Sequence, residues 1–102
     1  MKWYHYVAAF LAGVFFANAV PHFIHGVSGD PFPTPFAHPP GKGLSSPTLN
    51  VVWAGGNLLV GYALLRVSKA TPLNRWLMGL LFVGIMAMAL LLSVAAMDKL
   101  KA

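Results

Sequence analysis

Apolar residues are gathered in three long runs, which are separated by a proline-rich connection and by a short basic connection. The runs cover residues 3–20, 47–67 and 72–98. An α-helix rises about 1.5 Å per residue, so some twenty apolar residues are enough to cross a hydrocarbon core about 30 Å thick. The pattern therefore predicts an all-α integral membrane protein with three transmembrane helices, and it treats residues 1–102 as a single membrane domain.

The end of the first helix and the connection after it are marked by proline. Pro21 lacks a backbone N–H, so we expect the first helix to kink or end near it and to stop by about residue 25. Residues 26–46 then hold five prolines, but Phe32, Phe36 and Leu44 are interleaved with them and charge is scarce. This mixture favours an ordered cap over the helix ends rather than a solvated linker.

The starts of the second and third helices carry the same two-residue signal. Ser46 can cap a helix that begins at Pro47, because proline at the first helical position has no hydrogen bond to lose. Thr71 and Pro72 repeat the pattern and predict a third helix that begins at residue 72, after a turn at 68–71. So short a turn predicts a tight antiparallel hairpin of the last two helices.

Composition supports the membrane interpretation and excludes a nucleic-acid partner. The 102 residues are 58% apolar and only 9% charged, whereas soluble domains are about one quarter charged. The net charge of +5 comes from Lys and Arg residues that flank the apolar runs, without forming a basic face. The lipid bilayer is therefore the first expected partner.

Lys and Arg also predict the orientation of the helices. Lys2, Arg66, Lys69 and Arg75 fall on one side of the predicted bundle, against Lys42, Lys99 and Lys101 on the other. Basic loops favour the cytoplasm. We therefore expect the N-terminus and the 68–71 turn to be cytoplasmic, with the proline-rich loop and the C-terminus outside.

Polar side chains converge on the outer end of the predicted bundle. Asn18, His22 and His25 follow the i, i+4, i+7 spacing of one helix face. The predicted topology adds further polar or aromatic residues at the same depth, namely Asp30, His38, Asn50, Trp53 and Asp98. This cluster is the strongest candidate site in the sequence.

Several chemistries fit this cluster. One hypothesis is a divalent metal held by His22 and His25, with His38 or Asp30 completing the ligands. A pocket for a polar or amphipathic small molecule is a second hypothesis, and proton handling by histidine is a third. The plainest interpretation is that the imidazoles bond to loop carbonyls at the membrane surface.

The second helix carries a polar face of its own. Asn50, Asn57 and Gly61 are spaced at seven and four residues, so they share one side of the helix. A buried amide inside a membrane needs a partner, which predicts that this side contacts another helix. An oligomeric channel or carrier lined by this face is the sharper alternative.

Small residues at four-residue spacing indicate helix contacts. Ala9, Gly13 and Ala17 form one such series, and Ala89 and Ser93, with Ala96 three residues further on, form another. Three helices in one subunit cannot cover all of these faces, so self-association or docking in a larger membrane complex is expected. No complete catalytic signature is present, and no catalytic residue is predicted.

Taken together, the sequence favours a small membrane protein that acts by association, as a homo-oligomer or as a non-catalytic subunit. Its functional surface would be the His and Asn cluster under the proline-rich cap. A metal-binding membrane protein or enzyme that uses His22 and His25 is the first alternative. An oligomeric channel or small-molecule carrier is the second.

Overall fold

The computed structural model describes the backbone of residues 1–101 and the side chains of residues 1–97, and it is all-helical. Its elements in chain order are α1 (Trp3–Val27), β1 (Phe32–Pro33), β2 (Leu44–Ser45), α2 (Pro47–Ser68) and α3 (Arg75–Lys101). Each helix is long and apolar enough to cross a membrane, with mean hydropathies of 1.8, 1.3 and 2.6 in chain order. The predicted all-α class and the number of long apolar helices are confirmed.

Helix α1 continues through Pro21 to Val27, two residues beyond the stop predicted at about residue 25. Gly26 also lies inside the helix. A Cβ at Gly26 would stand 2.9 Å from the carbonyl oxygen of Pro47, so the missing side chain lets the first turn of α2 approach α1 closely. The continuous helix keeps the residues before and after Pro21 in one register.

Helix α2 begins where the sequence predicts. The Ser46 hydroxyl accepts a hydrogen bond of 3.1 Å from the Leu49 N–H, with Pro47 at the first helical position. The helix ends at Ser68, and Lys69 follows in the left-handed conformation, with φ of 58°. Its N–H donates to the Arg66 carbonyl, which closes the last turn.

Helix α3 begins at Arg75, so the start predicted at residue 72 is wrong. Thr71 instead opens a turn, since its carbonyl accepts a 3.0 Å hydrogen bond from the Asn74 N–H. The Asn74 side chain then caps α3 by accepting from the Leu77 N–H at 3.1 Å. Asparagine is among the best capping residues, so α3 begins three residues later than the predicted start at residue 72.

Helix α1 is the centre of the bundle. It packs along both α2 and α3, whereas α2 and α3 barely touch each other within the described residues. The tight hairpin predicted for the last two helices is therefore wrong. Sequence neighbours joined by a short turn have been separated because each has a better complementary surface on α1.

The α1–α3 contact depends on two glycines. A Cβ at Gly13 would overlap the Leu81 carbonyl oxygen, and one at Gly84 would overlap the Phe10 carbonyl oxygen. The backbones thus meet directly, as is common where small residues face each other on apolar helices. Gly13 is flanked by Ala9 and Ala17, which are also buried.

The connection between α1 and α2 is folded over one end of the bundle. β1 and β2 pair antiparallel, with Phe32 opposite Ser45 and Pro33 opposite Leu44. The Thr34 and Ser45 hydroxyls hydrogen bond at 2.6 Å, and both residues are buried. We refer to residues 28–46 as the cap.

Candidate binding cavity

Two polar contacts join α1 to α2, one turn apart on α1. Asn18 Nδ2 donates to Asn57 Oδ1 at 3.0 Å, and His22 Nδ1 lies 2.7 Å from Asn50 Oδ1. Both α2 amides and His22 are buried. Asn18 and His22, which are four residues apart on α1, therefore face Asn57 and Asn50, which are seven residues apart on α2.

Asn50 joins three parts of the chain. Its side chain is completely buried, and its Nδ2 lies 3.0 Å from the Phe32 carbonyl, 3.0 Å from the Ser46 carbonyl and 3.3 Å from the Ser45 carbonyl. Its Oδ1 faces His22. One amide therefore connects α1, both strands of the cap and the first turn of α2.

These contacts determine which His22 nitrogen carries the proton. Carbonyl oxygens only accept hydrogen bonds, so the Asn50 NH₂ group must face them and its Oδ1 must face the imidazole. In neutral His22 the proton is therefore on Nδ1, and Nε2 is an acceptor. Within the described part of the chain, His22 Nε2 has no hydrogen-bond partner and is not among the buried unpaired atoms.

The contact one turn below follows the same order of donors and acceptors. Asn57 Nδ2 donates to the Trp53 carbonyl at 2.9 Å, which leaves Asn57 Oδ1 as the acceptor for Asn18. The Asn18 amide therefore donates to α2 and keeps its own Oδ1 as an acceptor. Like His22, Asn18 borders open space on its other side.

That space is a cavity of about 780 Å³ bounded by all three helices and the cap. Asn18, His22 and Trp53 supply its polar and aromatic side. Helix α3 supplies the apolar side through Met88, Leu92, Ala95 and Ala96, and the cap closes one end through Phe32, Pro33, Thr34, Pro35, Gly41 and Lys42. The volume lies in the range of small-molecule sites, which are about 300–1,000 Å³.

Aromatic rings surround the histidines at the cap end. His25 stacks on Phe32 with ring centroids 4.1 Å apart, while His22 meets Phe32 and Trp53 edge to face at 5.2 and 6.4 Å. Phe36 from the cap contacts Trp53 at 5.2 Å. Two buried polar atoms here lack a hydrogen-bond partner, Trp53 Nε1 and His25 Nδ1.

The structure does not gather the predicted metal ligands. His22 is bonded to Asn50 and His25 is stacked on Phe32, while Asp30 and His38 are exposed in the cap. Among the described residues, no group of three or more His, Cys, Asp or Glu side chains has the arrangement of a metal site. Asp98 lies outside the described side chains.

The polar face of α2 is covered by α1. Asn50 and Asn57 bond to α1, and Gly61 lies beneath the Phe16 ring, which a Cβ would approach to 2.9 Å. A channel lined by this face would need it to be open. That hypothesis therefore remains a prediction that this packing does not support.

Sequence reasoning missed the residues that complete the cavity. Thr34 and Lys42 carry no signal that separates them from the rest of the proline-rich connection. Met88, Leu92 and Ala95 read only as apolar helix positions. Their place in the cavity follows from α3 packing on α1 rather than on α2, which no local pattern specifies.

No protein-family model, no curated protein and no solved structure matches this chain. The function therefore has to be argued from the cavity and its residues.

Proposed function

We propose that this protein is a multi-pass membrane protein that binds an amphipathic small molecule in the cavity between its three helices. The supporting observation is the cavity itself, which has hydrogen-bonding groups on α1, an aromatic side chain on α2, an apolar wall on α3 and a folded cap. Amphipathic ligands match such a division, because their polar end can be oriented while their apolar body is buried.

The membrane part of the proposal rests on surface composition. Twenty-six large apolar side chains are exposed among the described residues, and most of them lie on the helices. In α3 only Leu77 and Gly84 are buried between residues 75 and 97. Hydrocarbon is the solvent that tolerates such a surface, since soluble monomers rarely expose large contiguous apolar patches.

The proposed orientation is the one that the basic residues predict. The N-terminus and the connection at residues 69–74 are cytoplasmic, and the cap faces outside. A reporter that is active only in the cytoplasm should be inactive when it is inserted after Gly41 in the cap, and active when it is fused before Met1. The opposite pattern would overturn this orientation.

The binding proposal is tested by filling the cavity. Native mass spectrometry of the purified protein, repeated in two detergents of different mass, should show a bound species that does not change with the detergent. Ala95→Trp places an indole in the cavity and should remove that species. Ala87→Trp is the matched control, because Ala87 is exposed on the same helix but does not border the cavity.

The outcomes separate clearly. Loss of the bound species in Ala95→Trp alone supports a cavity ligand. Wild-type protein without a bound species, or equal occupancy in both variants, contradicts the proposal.

Self-association is a second candidate function, and one observation favours it. Ala89, Ser93 and Ala96 form a small-residue series that lies exposed on α3, beside a second cavity of about 510 Å³ between α1 and α3. Close helix contact between subunits uses such series. Ala89→Leu with Ser93→Leu should lower the subunit number in native mass spectra, whereas Ala87→Leu should not. A monomeric wild type would end this candidate.

A further inference from the structure

The two cavity groups on α1 each donate one hydrogen bond to α2, and the reason lies on α2. Asn50 and Asn57 each direct their NH₂ group to backbone carbonyls, so each offers only an oxygen to α1. His22 and Asn18 must therefore donate to α2. What remains on neutral His22 is an acceptor alone, Nε2, whereas Asn18 keeps an acceptor, Oδ1, and its second N–H donor.

From this arrangement we infer that the ligand is an uncharged amphiphile with a hydroxyl headgroup, which donates its hydrogen bond to His22 Nε2. The inference rests on the proposed binding function and specifies its ligand class. A donor is required because Nε2 of neutral His22 can only accept, and a hydroxyl can also hydrogen bond to either polar atom of the Asn18 amide. The apolar body of the ligand then lies along Met88, Leu92 and Ala95 on α3.

The other common headgroups fit less well. A carboxylate has no hydrogen to donate, so it would place an acceptor against His22 Nε2. An ammonium group has donors, but Lys42 borders the same cavity and like charges repel at low dielectric. An uncharged hydroxyl avoids both penalties.

Trp53 lies beside His22 in the wall of the cavity. The Trp53 and His22 ring centroids lie 6.4 Å apart, so the indole can report on a ligand that binds His22 Nε2.

The test uses three probes that share one tail. The compounds ω-bromododecanol, ω-bromododecanoic acid and ω-bromododecylamine differ only in the headgroup, and bromine quenches tryptophan fluorescence at short range. Trp3→Phe with Trp76→Phe leaves Trp53 as the reporter. Trp3→Phe with Trp53→Phe leaves Trp76, which is 68% exposed and does not border the cavity, as the control for partitioning into detergent.

We expect the alcohol to quench Trp53 saturably, at concentrations at least fivefold below those of the acid and the amine after correction with the Trp76 reporter. His22→Phe should abolish this preference. Displacement of the alcohol by monododecylglycerol or by a decyl hydroquinone then separates an aliphatic from a phenolic hydroxyl, and displacement by neither contradicts the hydroxyl class.

A measurement on the wild type guards against misfolding of the His22 variant. Side-chain nitrogen NMR should show Nδ1 protonated and Nε2 unprotonated in the neutral ring. Addition of dodecanol should shift Nε2 and leave Nδ1 nearly unchanged. A proton on Nε2 in the free protein would overturn the inference.

Failure of the inference and failure of the proposed function give different results. Saturable quenching of Trp53 without a headgroup preference, or with a preference for the acid or the amine, overturns the hydroxyl ligand but keeps the cavity as a binding site. Equal quenching of Trp53 and Trp76 by all three probes contradicts binding in the cavity and therefore both claims.

Discussion

The two faces of α1 hold their partner helices by different means. Toward α2, the contact contains directional hydrogen bonds at Asn18 and His22. Toward α3, Gly13 and Gly84 bring the backbones together. Hydrogen bonds fix distance and angle for individual atoms, whereas a glycine crossing fixes one point and leaves the rest of the helix free to diverge.

This difference explains where the cavity lies. Beyond the crossing, α3 runs past α1 with open space on either side, which forms the cavities of about 780 and 510 Å³. Helix α1 is thus held in a fixed position against α2 and packs less closely against α3. Asn18 and His22, which hydrogen bond to α2, also border the cavity beside α3.

The largest expected effect comes from Gly84→Ala. The new Cβ would overlap the Phe10 carbonyl, so α3 must move away from α1, and overpacking of this kind costs about 1–3 kcal/mol. Gly79→Ala is the matched control, because no atom lies within 4 Å of a Cβ there. The free energy of unfolding in detergent micelles should fall for Gly84→Ala only. Equal values for the two variants would refute the glycine crossing.

An effect confined to a smaller part of the molecule is expected from Asn50→Leu. Loss of the amide leaves His22 and the carbonyls of the cap without their partner, and each group that stays buried and unsatisfied costs about 1–3 kcal/mol. Amide hydrogen exchange should rise across residues 28–46 while the α1–α3 crossing stays protected. The control is Asn74→Ala, which removes the side chain that accepts from the Leu77 N–H at the start of α3. Faster exchange in that variant should be confined to the first turn of α3. If amide exchange across residues 28–46 were the same in Asn50→Leu as in the wild type, Asn50 would not be what holds the cap in place.

The smallest effect concerns the hydrogen bond between Asn18 and Asn57. A double-mutant cycle with Asn18→Ala and Asn57→Ala should give a coupling free energy of about 0.6 kcal/mol, the average for interhelical hydrogen bonds in membranes. Unfolding measurements of both single variants and the double variant supply this value. Strictly additive effects would mean that the α2 face is also held by shape.

The sequence predicted the features that depend on local chemistry. The three apolar runs are long helices, and Ser46 with Pro47 begins α2 as expected, because a cap and a first-turn proline act within four residues. Helical spacing and the need of buried amides for partners predicted that the Asn face of α2 contacts another helix, and the structure identifies that helix as α1. Their individual roles as donors and acceptors depended on backbone carbonyls that only the folded cap supplies.

The features that depend on competition between distant surfaces were not predictable in this way. The short turn favoured contact between α2 and α3, but shape selected α1 as the partner of both helices. Pro21 suggested a kink or an end of the first helix, yet the helix continues to Val27. Gly26 lies within its last turn and allows the start of α2 to approach closely. Thr71 was outcompeted as a cap by Asn74, three residues later.

Asn50 has one consequence for the motion of the cap. Its hydrogen bonds reach Phe32 at one edge of the cap and Ser45 at the other, and they originate from a single rigid amide plane. Rotation of that one side chain releases both edges at once, whereas detachment of one edge alone leaves an N–H of the buried amide without its acceptor. Opening is thus cooperative by construction, and exchange rates measured at the two ends should rise and fall together.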